Sequence, residues 1–84
     1  MIKYNSGRFI FLFDKTGTTI ERVVDTKYDA VYTNEHPAFK KVCQIALESL
    51  SFSELEEIQG KLINDGIWLR TVRKLMFKKK KKEN

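Results

Sequence analysis

An α+β fold, a three-stranded antiparallel meander packed by two or three helices, is what the sequence predicts. Three observations carry that expectation. Two β-type segments are joined to their successors by connections of only four and three residues, too short for a parallel crossover. The hydrophobic period changes to that of a helix after Pro37. The chain has 84 residues, enough for one small core and no second domain.

Arg8 to Phe13 is rich in aromatic and β-branched residues and reads as a strand that is apolar on both faces, hence central or covered on both sides. Asp14, Lys15, Thr16 and Gly17 give a turn in which Gly17 can take a positive φ. Thr18 to Val24 is a second strand, closed by Asp25, Thr26 and Lys27. Tyr28 to Thr33 alternates Tyr28, Ala30 and Tyr32 with Asp29, Val31 and Thr33, the pattern of a third, partly exposed strand.

Pro37 suits the first turn of a helix, where its missing N–H would have no intrahelical partner. Phe39, Val42, Cys43, Ala46, Leu47 and Leu50 then make one apolar stripe that ends near residue 50. Ser51 with Glu54 three residues later is a capping box, and Leu50 and Leu55 take the positions of a hydrophobic staple. The second helix uses Leu55, Ile58 and Leu62 and is expected to stop at Asn64, Asp65 and Gly66, with Gly66 as a left-handed cap.

A third helix is predicted from Ile67 to about Phe77 or beyond. With Trp68 as the zero of a helical wheel, Leu69, Val72, Leu75 and Met76 fall within about 100° of it, and Arg70, Arg73, Lys74 and Phe77 occupy the opposite arc. Lys78, Lys79, Lys80, Lys81 and Lys82 continue this element. Adjacent like charges repel, so residues 78–84 are expected to form a flexible basic tail after a single domain of residues 1–77.

Charge is divided along the chain. Residues 1–65 hold 8 basic and 10 acidic side chains, a net of −2, whereas residues 66–84 hold 8 basic side chains and Glu83 alone, a net of +7. Such a field, concentrated on one element, suits a polyanionic partner. The single Cys43 cannot form an internal disulfide, which favours a reducing cytoplasm. The longest apolar run, Phe9 to Phe13, is far shorter than the roughly 20 residues of a membrane span, and no signal-peptide pattern is visible, so no integral membrane association is expected.

Chemistry-bearing groupings are sparse. Asp14-Lys15-Thr16-Gly17-Thr18 matches the phosphorylation loop of P-type ATPases, but an aspartyl-phosphate enzyme needs metal-binding carboxylates, a nucleotide site and mobile domains that this length does not hold. It reads as a turn. His36 and Cys43 make too few ligands for zinc; Cys43 lies on an apolar stripe, and His36 suits a helix start. No nucleophile and base pair is evident, so neither an enzyme nor a cofactor is expected.

The basic end admits several functions. Nucleic-acid contact, DNA or RNA, is the leading expectation, through Arg70, Arg73, Lys74, Phe77 and Lys78 to Lys82. Leu55 to Phe77 also has the outline of a helix-turn-helix, with Gly66 in the turn, although Leu62 stands where Ala is favoured and Asp65 where a buried apolar residue is usual. The alternatives are a solvated tail, an acidic membrane surface anchored by Trp68, Leu69 and Met76, and an acidic host protein. A structural part of a larger particle is a further reading.

Residues 20–62 carry a resemblance. A hairpin ending in Ala30-Val31-Tyr32-Thr33-Asn34-Glu35-His36-Pro37-Ala38-Phe39-Lys40-Lys41, then a helix, Glu54-Leu55-Glu56-Glu57 and a second helix, resembles the β-hairpin plus two-helix module of tailed-phage rIIB-like proteins. That resemblance implies a phage or prophage origin, a binding or regulatory role in the host cytoplasm and no catalytic residue. An inhibitor of host transcription or of nuclease-based defence fits the same class.

Overall fold

The computed structural model describes residues 3–63 and 65–83, with side chains through residue 80. Four strands, β1 (Lys3–Ser6), β2 (Phe9–Phe13), β3 (Ile20–Asp25) and β4 (Ala30–Thr33), are followed by helices α1 (Phe39–Glu48), α2 (Phe52–Lys61) and α3 (Gly66–Glu83). The α+β class is as expected, with one strand more than the three read from the sequence. The strands form one antiparallel sheet in chain order, β1-β2-β3-β4.

Register decides which face is apolar. Tyr4 lies opposite Phe11, Phe11 opposite Val23, and Val23 opposite Tyr32, so these side chains point to one side. On that side Phe9, Phe11, Phe13, Ile20 and Val23 join Phe39, Cys43, Ala46, Leu47, Leu55, Ile58, Leu62, Trp68, Val72 and Leu75 in a single core. Ile10, Leu12, Val24 and Val31 alternate onto the other face, and Val31 is exposed. Of the two readings of β2, central or covered on both sides, the first holds: β2 lies between β1 and β3, while all three helices pack on one side of the sheet. A register shift between Leu12 and Phe13 leaves Glu21 as an extra residue between Ile20 and Arg22, a β-bulge.

The turns are fixed by short-range polar contacts. Oδ1 of Asp14 accepts from the Thr16 hydroxyl at 2.9 Å and the Thr18 N–H at 3.0 Å, and Gly17 adopts φ +73°. At the other end of the sheet Arg8 grips Asp25 with two bonds, Nε to Oδ1 at 2.9 Å and Nη2 to Oδ2 at 2.8 Å. Thr26 donates its N–H to the Arg8 carbonyl at 2.9 Å, so the β1–β2 turn and the end of β3 are fastened together. The third strand is shorter than expected: Tyr28 and Asp29 belong to a turn, and Asp29 has φ +51°.

The helix starts follow separate rules. α1 begins at Phe39, and Pro37 sits in the turn before it rather than in its first turn. Nδ1 of His36 accepts from the Ala38 N–H at 3.0 Å, giving the entry a side-chain acceptor. α2 opens with the expected capping box, Glu54 N–H to Ser51 Oγ and Ser51 N–H to Glu54 Oε1. The second oxygen of Glu54 accepts from the Ser6 hydroxyl at 2.9 Å, which pins α2 to β1. Gly66 is not a left-handed cap: it is the first residue of α3, and Asp65 caps that helix by accepting the Trp68 N–H at 3.3 Å. Asp65 also accepts the Ile20 N–H at 3.0 Å, tying α3 to the start of β3.

These carboxylates set the response to acid. Hydrogen bonds from Thr19, Thr18 and Thr16 lower Asp14 to about 2, those from Arg8 and the Lys27 backbone lower Asp25, and those from Ser51 and Ser6 lower Glu54. Each group is easier to ionise in the folded chain than in the unfolded one, where carboxyls titrate near about 4. Their contribution is complete above that range and is lost as pH falls through 4 toward 2. The melting temperature is expected to drop across this window, with a shallower drop in Asp14→Asn. A melting temperature flat over the same range contradicts the assignment.

Candidate nucleic-acid interface

The basic surface is built on α3, whose 18 residues span about 27 Å. Its inner side is fixed by packing. Trp68, Val72 and Leu75 are buried, Leu69 and Met76 pack against the same core, and the Trp68 ring meets Phe39 edge-on at 6.3 Å between centroids. These are the residues whose wheel positions predicted the docked side. Because they are committed to the core, Trp68, Leu69 and Met76 do not supply the apolar anchor that the membrane-surface reading needs. No described helix is long and apolar enough to cross a membrane.

On the opposite arc Arg70, Arg73, Lys74 and Phe77 are exposed, and Lys78 and Lys80 are exposed beyond them. The described residues give none of Arg70, Arg73, Lys74 and Lys78 an ion-pair partner; the one ion pair among them is Arg8 with Asp25. Lys79 departs from the group. It is half-buried and donates to the Glu48 carbonyl at the C-terminal end of α1, at 3.3 Å, where a cation complements the helix dipole. The helical backbone runs on through residues 78–83, where the sequence reading placed a flexible tail; the side chains of Lys81 and Lys82, and Asn84 altogether, lie outside the described residues.

Phe77 is the unusual member of this arc. It is 69% exposed, on a helix whose other aromatic residue is 7% exposed. Arg73 and Lys74 precede it by four and three residues, and Lys78 and Lys80 follow it, so cations lie on every side of the ring along the helix surface. The sequence reading missed Ile67, which is 66% exposed in the first turn of the same helix. Its wheel position, beside Lys74 rather than Trp68, was the available signal.

α2 and α3 pack on each other, joined by Leu62 to Asp65, as a helix-turn-helix would require. α2 is nevertheless acidic, with Glu54, Glu56 and Glu57 against Lys61 alone. In that motif the first helix crosses the phosphate backbone, and here it would bring carboxylates against phosphates.

The other sequence candidates are accounted for by the fold. Cys43 is fully buried, and burial pushes its thiol well above the ordinary range. His36 meets Tyr32 edge-on at 5.0 Å in the turn before α1. Among the described residues no grouping of three or more His, Cys, Asp or Glu side chains has the arrangement of a metal site. Comparison of the chain with protein-family models, with curated proteins and with solved structures finds no match.

Proposed function

We propose that the protein is a small non-enzymatic binding or regulatory protein that contacts nucleic acid through the exposed arc of α3. The observation that carries this reading is the fixed orientation of the helix: Trp68, Val72 and Leu75 lock one side into the core, so Arg70, Arg73, Lys74 and Lys78 are held outward without ion-pair partners among the described residues. Lys and Arg held together on one surface neutralise phosphates and release counterions, which is a large favourable contribution at low salt. The resemblance of residues 20–62 to the rIIB-like module supports a phage or prophage origin, and with it a site of action in the host cytoplasm.

The test is charge reversal at three exposed positions. Arg70→Glu, Arg73→Glu and Lys74→Glu together keep residues that tolerate a helix and touch no buried contact, so folding should survive. Affinity for DNA or RNA is expected to collapse at low salt, and the slope of log affinity against log salt to become shallower by about 2 to 3. Affinity that persists in the triple variant, or an unaltered protein that binds no nucleic acid at low salt, removes this reading. The cations would then serve docking on an acidic host protein, as in an inhibitor of a host system.

A further inference from the structure

Phe77 points to the kind of nucleic acid. We propose that α3 binds single-stranded nucleic acid, with Phe77 as a platform on which an unpaired base stacks; this rests on the nucleic-acid reading of the arc above. A phenyl ring 69% exposed gains nothing from the core, whereas the wheel positions of Arg70, Arg73, Lys74 and Lys80 surround it with cations. A ligand that satisfies both must carry a flat apolar face and negative charges on either side of it. A nucleotide within a single strand does so: the base covers the ring, and the flanking phosphates meet cations about 6 Å before it at Arg73 and about 4.5 Å beyond it at Lys80.

A duplex fits less well for two reasons. Its base faces are already covered by their neighbours, so only edges are offered in the grooves, and a ring can reach a face only by unstacking a step. A helix-turn-helix seating also lays α2, which carries Glu54, Glu56 and Glu57 against Lys61 alone, across a phosphate backbone. A single strand following α3 alone meets neither obstacle. Every base has a face, so binding through Phe77 should be tolerant of sequence.

The experiment compares a labelled oligothymidylate with a labelled duplex of equal length, on the full chain and on Phe77→Ala, Phe77→Trp and the triple charge reversal. Phe77→Ala is expected to weaken oligothymidylate binding by about 5- to 150-fold and duplex binding by less than about twofold, and Phe77→Trp to retain the single strand. Thermal unfolding of Phe77→Ala should match the parent, since the ring is exposed. Equal weakening of both probes, no weakening of either, or a lowered melting temperature each overturns the stacking role. If the charge reversal abolishes both probes while Phe77→Ala changes neither, stacking falls and the basic arc stands. If the unaltered chain binds neither probe, the nucleic-acid reading falls with it.

Discussion

Phe11→Ala is expected to lower the unfolding free energy by about 3 to 5 kcal/mol. Phe11 is fully buried at the middle of β2, with Tyr4 opposite it on β1 and Val23 on β3. Removing the ring withdraws apolar area from the core and leaves a cavity that the paired strands on either side cannot easily close. A domain of this length has about 4 to 12 kcal/mol in total, so the variant should be partly unfolded at modest urea concentrations. The midpoint of urea denaturation checks it; a loss below about 1 kcal/mol would mean that the sheet closes over the gap, against the packing described.

Two neighbouring residues on α3 should respond in opposite ways to one substitution. Val72 is fully buried and Arg73 exposed. Val72→Glu puts a carboxylate into a core where no described side chain is placed to pair with it, a change that costs several kcal/mol and should abolish the cooperative transition. Arg73→Glu should shift stability by no more than about 0.5 kcal/mol, the usual range at the surface. Circular dichroism melts of the two variants decide the matter. Similar behaviour of the pair would show that α3 does not dock by its Trp68 side, and the outward arc would lose its basis.

Several parts of this architecture were legible in the residues, for identifiable reasons. The capping box at Ser51 and Glu54 is a local device, needing no distant contact, and it formed where the spacing placed it. The division of α3 into a docked side and a basic side follows from helical periodicity alone. Other features depend on long-range contacts. Lys3 to Ser6 carries no apolar alternation, and its strand exists because β2 offers an unpaired edge and Glu54 accepts from Ser6. Gly66 signals the end of one helix and the neighbouring Asp65 the start of the next; the bond from Ile20, 45 residues away, to Asp65 favours the start. The lysines continue α3, as their place after Phe77 implies, and its helical backbone reaches Glu83. The exposure of Phe77 is a property of the packed molecule, but its wheel position among cations announced it.

The two outermost strands limit what the sheet can become. β1 and β4 are four residues each, and in an antiparallel ladder only about half of an edge strand's backbone groups point away from its partner. A foreign strand laid along either edge would therefore find a ladder too brief to hold it. Lys3 at the start of β1 adds the desolvation of an ammonium group to any such addition. Further growth along β4 is hindered by the left-handed Asp29 just before it and the turn from Asn34 just after it. The meander is thus guarded against edge-to-edge polymerisation by the brevity of its margins, even though its outer face carries Ile10, Leu12, Val24 and Val31.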